Sequence, residues 1–60
     1  MTVAAAKELH SGDQVFWNDP DGGLCSRYYT IESIELFDDE MVRIYDVDGD
    51  VLECFARELS

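Results

Sequence analysis

The sequence predicts an all-β fold: a small, partly open barrel of four to five antiparallel strands with a short helical turn before the last strand. Three observations carry that expectation. Short β-favouring runs recur between dense turn signals. The one helix-favouring stretch, Ala4 to Leu9, is too short to hold a helix unaided in water. Four or five strands in 60 residues are too few for a sandwich, which leaves a barrel.

Residues 1–8 read as a flexible leader or an extra edge strand, and residues 9–60 as the barrel domain. His10-Ser11-Gly12-Asp13 is a turn that opens the first strand, Gln14-Val15-Phe16-Trp17. Asn18-Asp19-Pro20-Asp21-Gly22-Gly23 stops it, the densest breaker cluster in the chain. The longest β-favouring run follows, Tyr28 to Leu36. Its alternation slips: Tyr29 and Ile31 share one face, whereas Ile34 and Leu36 share the other. A bulge near Ser33 would return both pairs to one core, which is how small barrels turn corners. Asp38-Asp39-Glu40 makes a short acidic loop, and Met41 to Val47 the next strand. Asp48-Gly49 then predicts a type I′ hairpin leading into Asp50 to Phe55. Ala56-Arg57-Glu58 reads as one helical turn, after which Leu59 drops into the core.

Size and charge bound the function. A domain of this length buries only roughly 60% of its unfolded surface, so its stability margin is thin. Fourteen acidic residues against four basic ones leave a formal net charge of −10. Such a surface repels nucleic-acid backbones, whose binding rests on Lys and Arg displacing counterions, and it disfavours anionic membranes. A charged partner is therefore expected to be basic. Direct nucleic-acid binding would require Lys7, Arg27, Arg43 and Arg57 to form one patch. Neither a basic stretch followed by a long apolar run nor a membrane-length apolar segment is present, so a cytoplasmic location is expected. Cys25 and Cys54 are too few for a disulfide framework and are expected as free thiols in a reducing compartment, with a single Cys25–Cys54 bridge as the alternative in an oxidising one.

The layout carries a resemblance. Gly12-Asp13-x-Val15-x-Trp17, the run Tyr29-x-Ile31-x-x-Ile34 and the final Phe55-x-x-x-Leu59 resemble small bacterial SH3-like barrel proteins of the KOW- and Tudor-like group. The similarity covers roughly Leu9 to Ser60, in layout more than in any diagnostic motif. It implies a fold, and no activity is secured by it. The Ala-Leu-Tyr-Asp-Tyr motif and Trp pair of peptide-binding SH3 domains are absent. KOW-type modules use basic loops on RNA or ribosomal partners, whereas these loops are acidic.

In SH3-like topology the Asp19–Gly23 and Asp38–Glu40 loops flank the binding groove. Asp19, Asp21, Asp38, Asp39 and Glu40 would then sit at one end of the barrel, where carboxylates attract Lys or Arg and speed encounter. Trp17, Phe55 and one of Tyr28 or Tyr29 are expected in the core, because a domain this small has to bury its largest side chains. The other tyrosine and Tyr45 face outward, so the expected partner-binding set is Asp19, Asp21, Tyr28, Asp38, Asp39, Glu40 and Tyr45.

No catalytic, metal or cofactor site is expected. Counted as a calcium loop from Asp46, Gly falls at position 4 and Arg57 at position 12, where the loop needs Gly at 6 and Glu at 12. Cys25, Cys54 and His10 lack zinc-ligand spacing. His10 lies near the chain's start, outside any strand that would hold a general base in place. The expected function is a non-enzymatic module that binds a basic protein or peptide segment. The alternative is an acidic mimic of nucleic-acid phosphates that blocks a DNA- or RNA-binding protein. Open barrel edges also leave room for a homodimer.

Overall fold

The computed structural model describes all residues, 1–60. Along the chain run a one-turn helix α1 (Val3–Ala6) and strands β1 (Gln14–Trp17), β2 (Arg27–Leu36), β3 (Met41–Asp46) and β4 (Val51–Phe55). A 3-10 turn, Ala56–Glu58, follows β4. The strands form an antiparallel meander in the order β1-β2-β3-β4. Beyond the 3-10 turn the chain returns to β1. Trp17 bridges Leu59, and Phe16 and Ser60 exchange two backbone hydrogen bonds of 2.9 Å. That return curls the sheet on one side, while the edge of β4 away from β3 stays open. The architecture is the all-β, partly open arrangement expected, with the 3-10 turn before the last extended residues. No helix is long and apolar enough to cross a membrane.

The bend in β2 makes the curl. Its pairing with β3 shifts register between Ile31 and Ser33, where the sequence pattern slips. Before the shift β2 pairs with β1, placing Val15 opposite Tyr29. After it β2 pairs with β3, placing Ile34 opposite Ile44. One extra residue therefore restores Tyr29, Ile31 and Ile34 to a common interior, whereas Leu36, expected there too, stays exposed at the end of β2. Along β3, Val42, Ile44 and Asp46 are buried and alternate with half-buried residues. The core is Val15, Tyr29, Ile31, Val42, Ile44, Leu52, Cys54 and Leu59, sealed by Ala6 and Ala56. Cys54 is a free thiol inside it; burial, then the nearby Glu58 carboxylate, pushes its pKa up to about 11.

Several expectations change. Residues 1–8 add no edge strand. Thr2 caps α1 by accepting a 3.0 Å bond from Ala5 N–H, and Ala6 is fully buried. The Met1 amino group donates to the Ala56 and Leu59 carbonyls, which ties α1 to the 3-10 turn. Tertiary packing stabilises a helix too short to persist alone. The β3–β4 hairpin is not type I′, because among Val47, Asp48 and Gly49 only Gly49 has positive φ, at 90°. Gly49 N–H bonds Asp46 O at 2.9 Å and Asp46 N–H bonds Asp50 O at 2.8 Å. The result is a three-residue loop with glycine in the left-handed position. Phe55 leaves the core: Leu52 and Cys54 take the inward positions of β4, and Phe55 lies half-buried beneath the Arg57 guanidinium, 4.2 Å from its ring centre. Trp17 is half-buried as well, its indole N–H donating to Glu58 Oε1 at 2.9 Å.

Candidate functional site

The 3-10 turn joins the bases of the two acidic loops. Ala56 N–H donates to the Glu40 carbonyl at 2.8 Å, at the end of the Asp38–Glu40 loop. Two residues later the Glu58 carbonyl accepts from Asn18 N–H at 2.8 Å, at the start of the Asp19–Ser26 loop. A turn of three residues rises only about 6 Å. The two loops therefore spring from opposite ends of this one short element.

Their carboxylates are used differently. Asp19 is turned into its own loop, where its two oxygens accept from Asp21 and Cys25 N–H, each at 3.0 Å. Those bonds hold its carboxyl below the usual carboxylate value of 3.8. The Ser26 hydroxyl accepts from Asp19 N–H at 2.8 Å and closes the loop base. Asp21, Asp38, Asp39 and Glu40 are exposed, and none of their carboxylates makes a hydrogen bond or ion pair within the chain. Asp39 and Glu40 also adopt left-handed backbone angles, φ 63° and 64°. The bond from Ala56 helps to fix that conformation.

The two tyrosines stand apart. Tyr28 is exposed on the outer side of the β1–β2 pair, packed edge-on against Phe16 at 4.9 Å between ring centres. Tyr45 is half-buried on the outer face of β3, opposite Ser33 and Val51 and thus at the far end of β3 from Met41 and the Asp38–Glu40 loop. Its hydroxyl donates to Glu35 Oε1 at 2.5 Å and lies 3.4 Å from Arg43. The bases of the two acidic loops thus adjoin the 3-10 turn, while Tyr45 belongs to a separate Glu35–Arg43–Glu53 group.

Every arginine is occupied. Arg27 lies 4.2 Å over the Tyr29 ring and 3.1 Å from Asp50. Arg43 lies 4.9 Å over Phe37, between Glu35 and Glu53, and Arg57 covers Phe55. The Asp50 hydrogen bond raises the Arg27 pKa, and the Tyr45 hydrogen bond raises that of Arg43. The three guanidiniums sit on three different aromatic rings.

Two acids matter in ways the sequence reading missed. Asp46 is 3% exposed; its oxygens accept from Thr30 N–H at 3.0 Å and Asp48 N–H at 2.7 Å, with Arg27 at 3.9 Å. Glu58 accepts from Phe55 N–H at 3.3 Å as well as from Trp17. The signals were local ones. Asp46-x-Asp48 fits an aspartate that bonds a backbone N–H two residues on, and Phe55-x-x-Glu58 fits the reach-back of a capping glutamate. No ligand-sized cavity opens in the surface, and no cluster of His, Cys, Asp or Glu has metal-ligand geometry.

No protein-family model, curated protein or solved structure matches this chain.

Proposed function

We propose that this chain is a non-enzymatic module that binds a basic segment of another protein. One observation carries the reading. Asp21, Asp38, Asp39 and Glu40 stand on two loops flanking one 3-10 turn with no partner inside the chain, while each arginine is already stacked on an aromatic ring. With a net charge of −10, the field around these loops attracts Lys and Arg and raises the encounter rate. The meander with its return to β1 supports an SH3-like description, and in that layout the two loops border the usual groove. Tyr28, exposed beside Phe16, adds an amphipathic ring of the kind enriched at interfaces.

The test is stopped-flow association with a lysine-rich peptide at several salt concentrations. The reading expects the association rate to fall steeply between low and physiological salt, and to fall again in Asp38→Lys and Asp39→Lys. A salt-insensitive complex contradicts it. If duplex DNA displaces a captured partner, the phosphate-mimic alternative takes its place.

A further inference from the structure

The outer edge of β4 carries unpaired backbone groups, and the hydrogen-bond phase identifies which they are. Asp46 bonds Asp50 at one end of the β3–β4 ladder, and Ala56 bonds Glu40 at the other. Antiparallel pairs alternate between bonded and non-bonded positions. With the register Ile44 opposite Leu52 and Val42 opposite Cys54, those two pairs are the bonded ones. The N–H and C=O groups of Val51, Glu53 and Phe55 therefore point away from β3. Phe55 N–H is capped by Glu58. No hydrogen bond outside the ladder engages Val51 or Glu53, and β3 is the only element packed extensively along β4. Val51 is 56% exposed and the Glu53 side chain 57%.

Charge brackets this edge. Asp48 lies at its start and the Asp38–Glu40 loop at its end, where Ala56 meets Glu40, all without a partner in the chain; Asp50 and Glu53, already beside Arg27 and Arg43, add negative charge between them. We propose that the Val51–Glu53 edge accepts an extended basic segment of a partner protein as an added strand. This inference rests on the basic-partner reading above and names its docking mode. Main-chain bonds to Val51 and Glu53 supply register, and lysine or arginine at alternate positions meets the flanking carboxylates. A second copy of the chain fits poorly. Two-fold pairing centred on this edge sets Val51 against Glu53 of the other copy, which supplies no opposite charge, and joins two surfaces of charge −10. The charges that protect the edge from self-pairing thus select a basic strand.

An end-blocked peptide of alternating lysine and valine is the probe, followed by backbone amide exchange in NMR. A second version is N-methylated on its bonding edge. On saturation the Val51 and Glu53 amides are expected to exchange at least about tenfold more slowly, and the N-methylated peptide to leave them unchanged. Val51→Pro removes one edge donor at the first residue of a strand, a position where proline is tolerated, and is expected to weaken binding about tenfold. Should that variant fail to fold, Glu53→Lys is expected to weaken binding comparably while keeping a native spectrum. Unchanged edge amides with shifts confined to Asp38–Glu40 overturn the strand-addition mode and leave the basic-partner reading standing. Absence of any binding overturns both. Edge protection that grows with protein concentration in the peptide-free chain assigns the edge to a second copy and overturns the proposal.

Discussion

Two acidic loops close the two ends of β3, and they do opposite things. At each end three residues lie between a bonded pair: Asp38–Glu40 between Phe37 and Met41, and Val47–Gly49 between Asp46 and Asp50. In the second loop Gly49 supplies the positive φ, and the Asp46 carboxylate is buried against two backbone N–H groups. In the first loop no glycine is present. Asp39 and Glu40 occupy the left-handed region themselves, and the three carboxylates face water. Similar composition thus yields a structural staple in one place and an unneutralised charged rim in the other. What separates them is where the backbone has unmet donors. Thr30 N–H lies beside the β2 register shift and takes Asp46 as its acceptor, whereas the Asp38–Glu40 loop offers its carboxylates no such donor.

The largest effect is expected at Asp46. Asp46→Ala leaves two backbone donors without their charged acceptor and is expected to cost about 3 kcal/mol in urea unfolding. For a domain with so thin a margin, that approaches the whole of its stability. Loop conformation gives the next effect. Gly49→Ala forces a side chain into positive φ and should cost about 1–2 kcal/mol. Glu40→Gly relieves the same strain in the opposite loop. It should gain about 0.5–1 kcal/mol, because the added freedom of the unfolded chain offsets part of the relief. Thermal melts of the two variants should therefore move in opposite directions. A fall in both would show that Glu40 is not strained.

Charge reversal sharpens the contrast from the other side. Asp38→Lys and Asp39→Lys should change stability by no more than about 0.5 kcal/mol, while slowing association with a basic peptide. The smallest expected effect belongs to Asp19, which combines both behaviours, since its carboxylate is internally bonded yet partly exposed. Its pKa is lowered on folding from an ordinary 3.8, so its contribution is present above that value. It is lost as pH falls through the lower folded value. Acid unfolding of Asp19→Asn should lack this part of the decline below pH 3.8 that the parent chain shows.

The fold was legible where pattern and packing agree. The slipped alternation around Ser33 located the β2 bend within two residues, since a period-two pattern that changes face demands a bulge. The Ala56–Glu58 turn and the return of Leu59 followed from their composition. The hairpin type was not legible from Asp48-Gly49 alone, because the buried Asp46 carboxylate holds Asp48 N–H and leaves Gly49 as the single left-handed residue. The size of Phe55 argues for burial, but the β4 register gives the interior to Leu52 and Cys54. For the candidate site, the loops and their charges were visible. The distinction between Asp46, Asp19 and Glu58, which the backbone uses, and Asp21, Asp38, Asp39 and Glu40, which it does not, depends on long-range pairing that no local window contains.

The most direct test makes one chemical change in both loops. Asp46→Asn and Asp39→Asn each remove one negative charge and keep nearly the same shape, and their unfolding free energies are compared by urea titration. The account predicts that Asp46→Asn loses at least about 1.5 kcal/mol, since a charged acceptor of two buried-side bonds becomes neutral. Asp39→Asn should lose nothing, asparagine being tolerated in the left-handed region. Equal losses in the two variants, or a larger loss at Asp39, would contradict it.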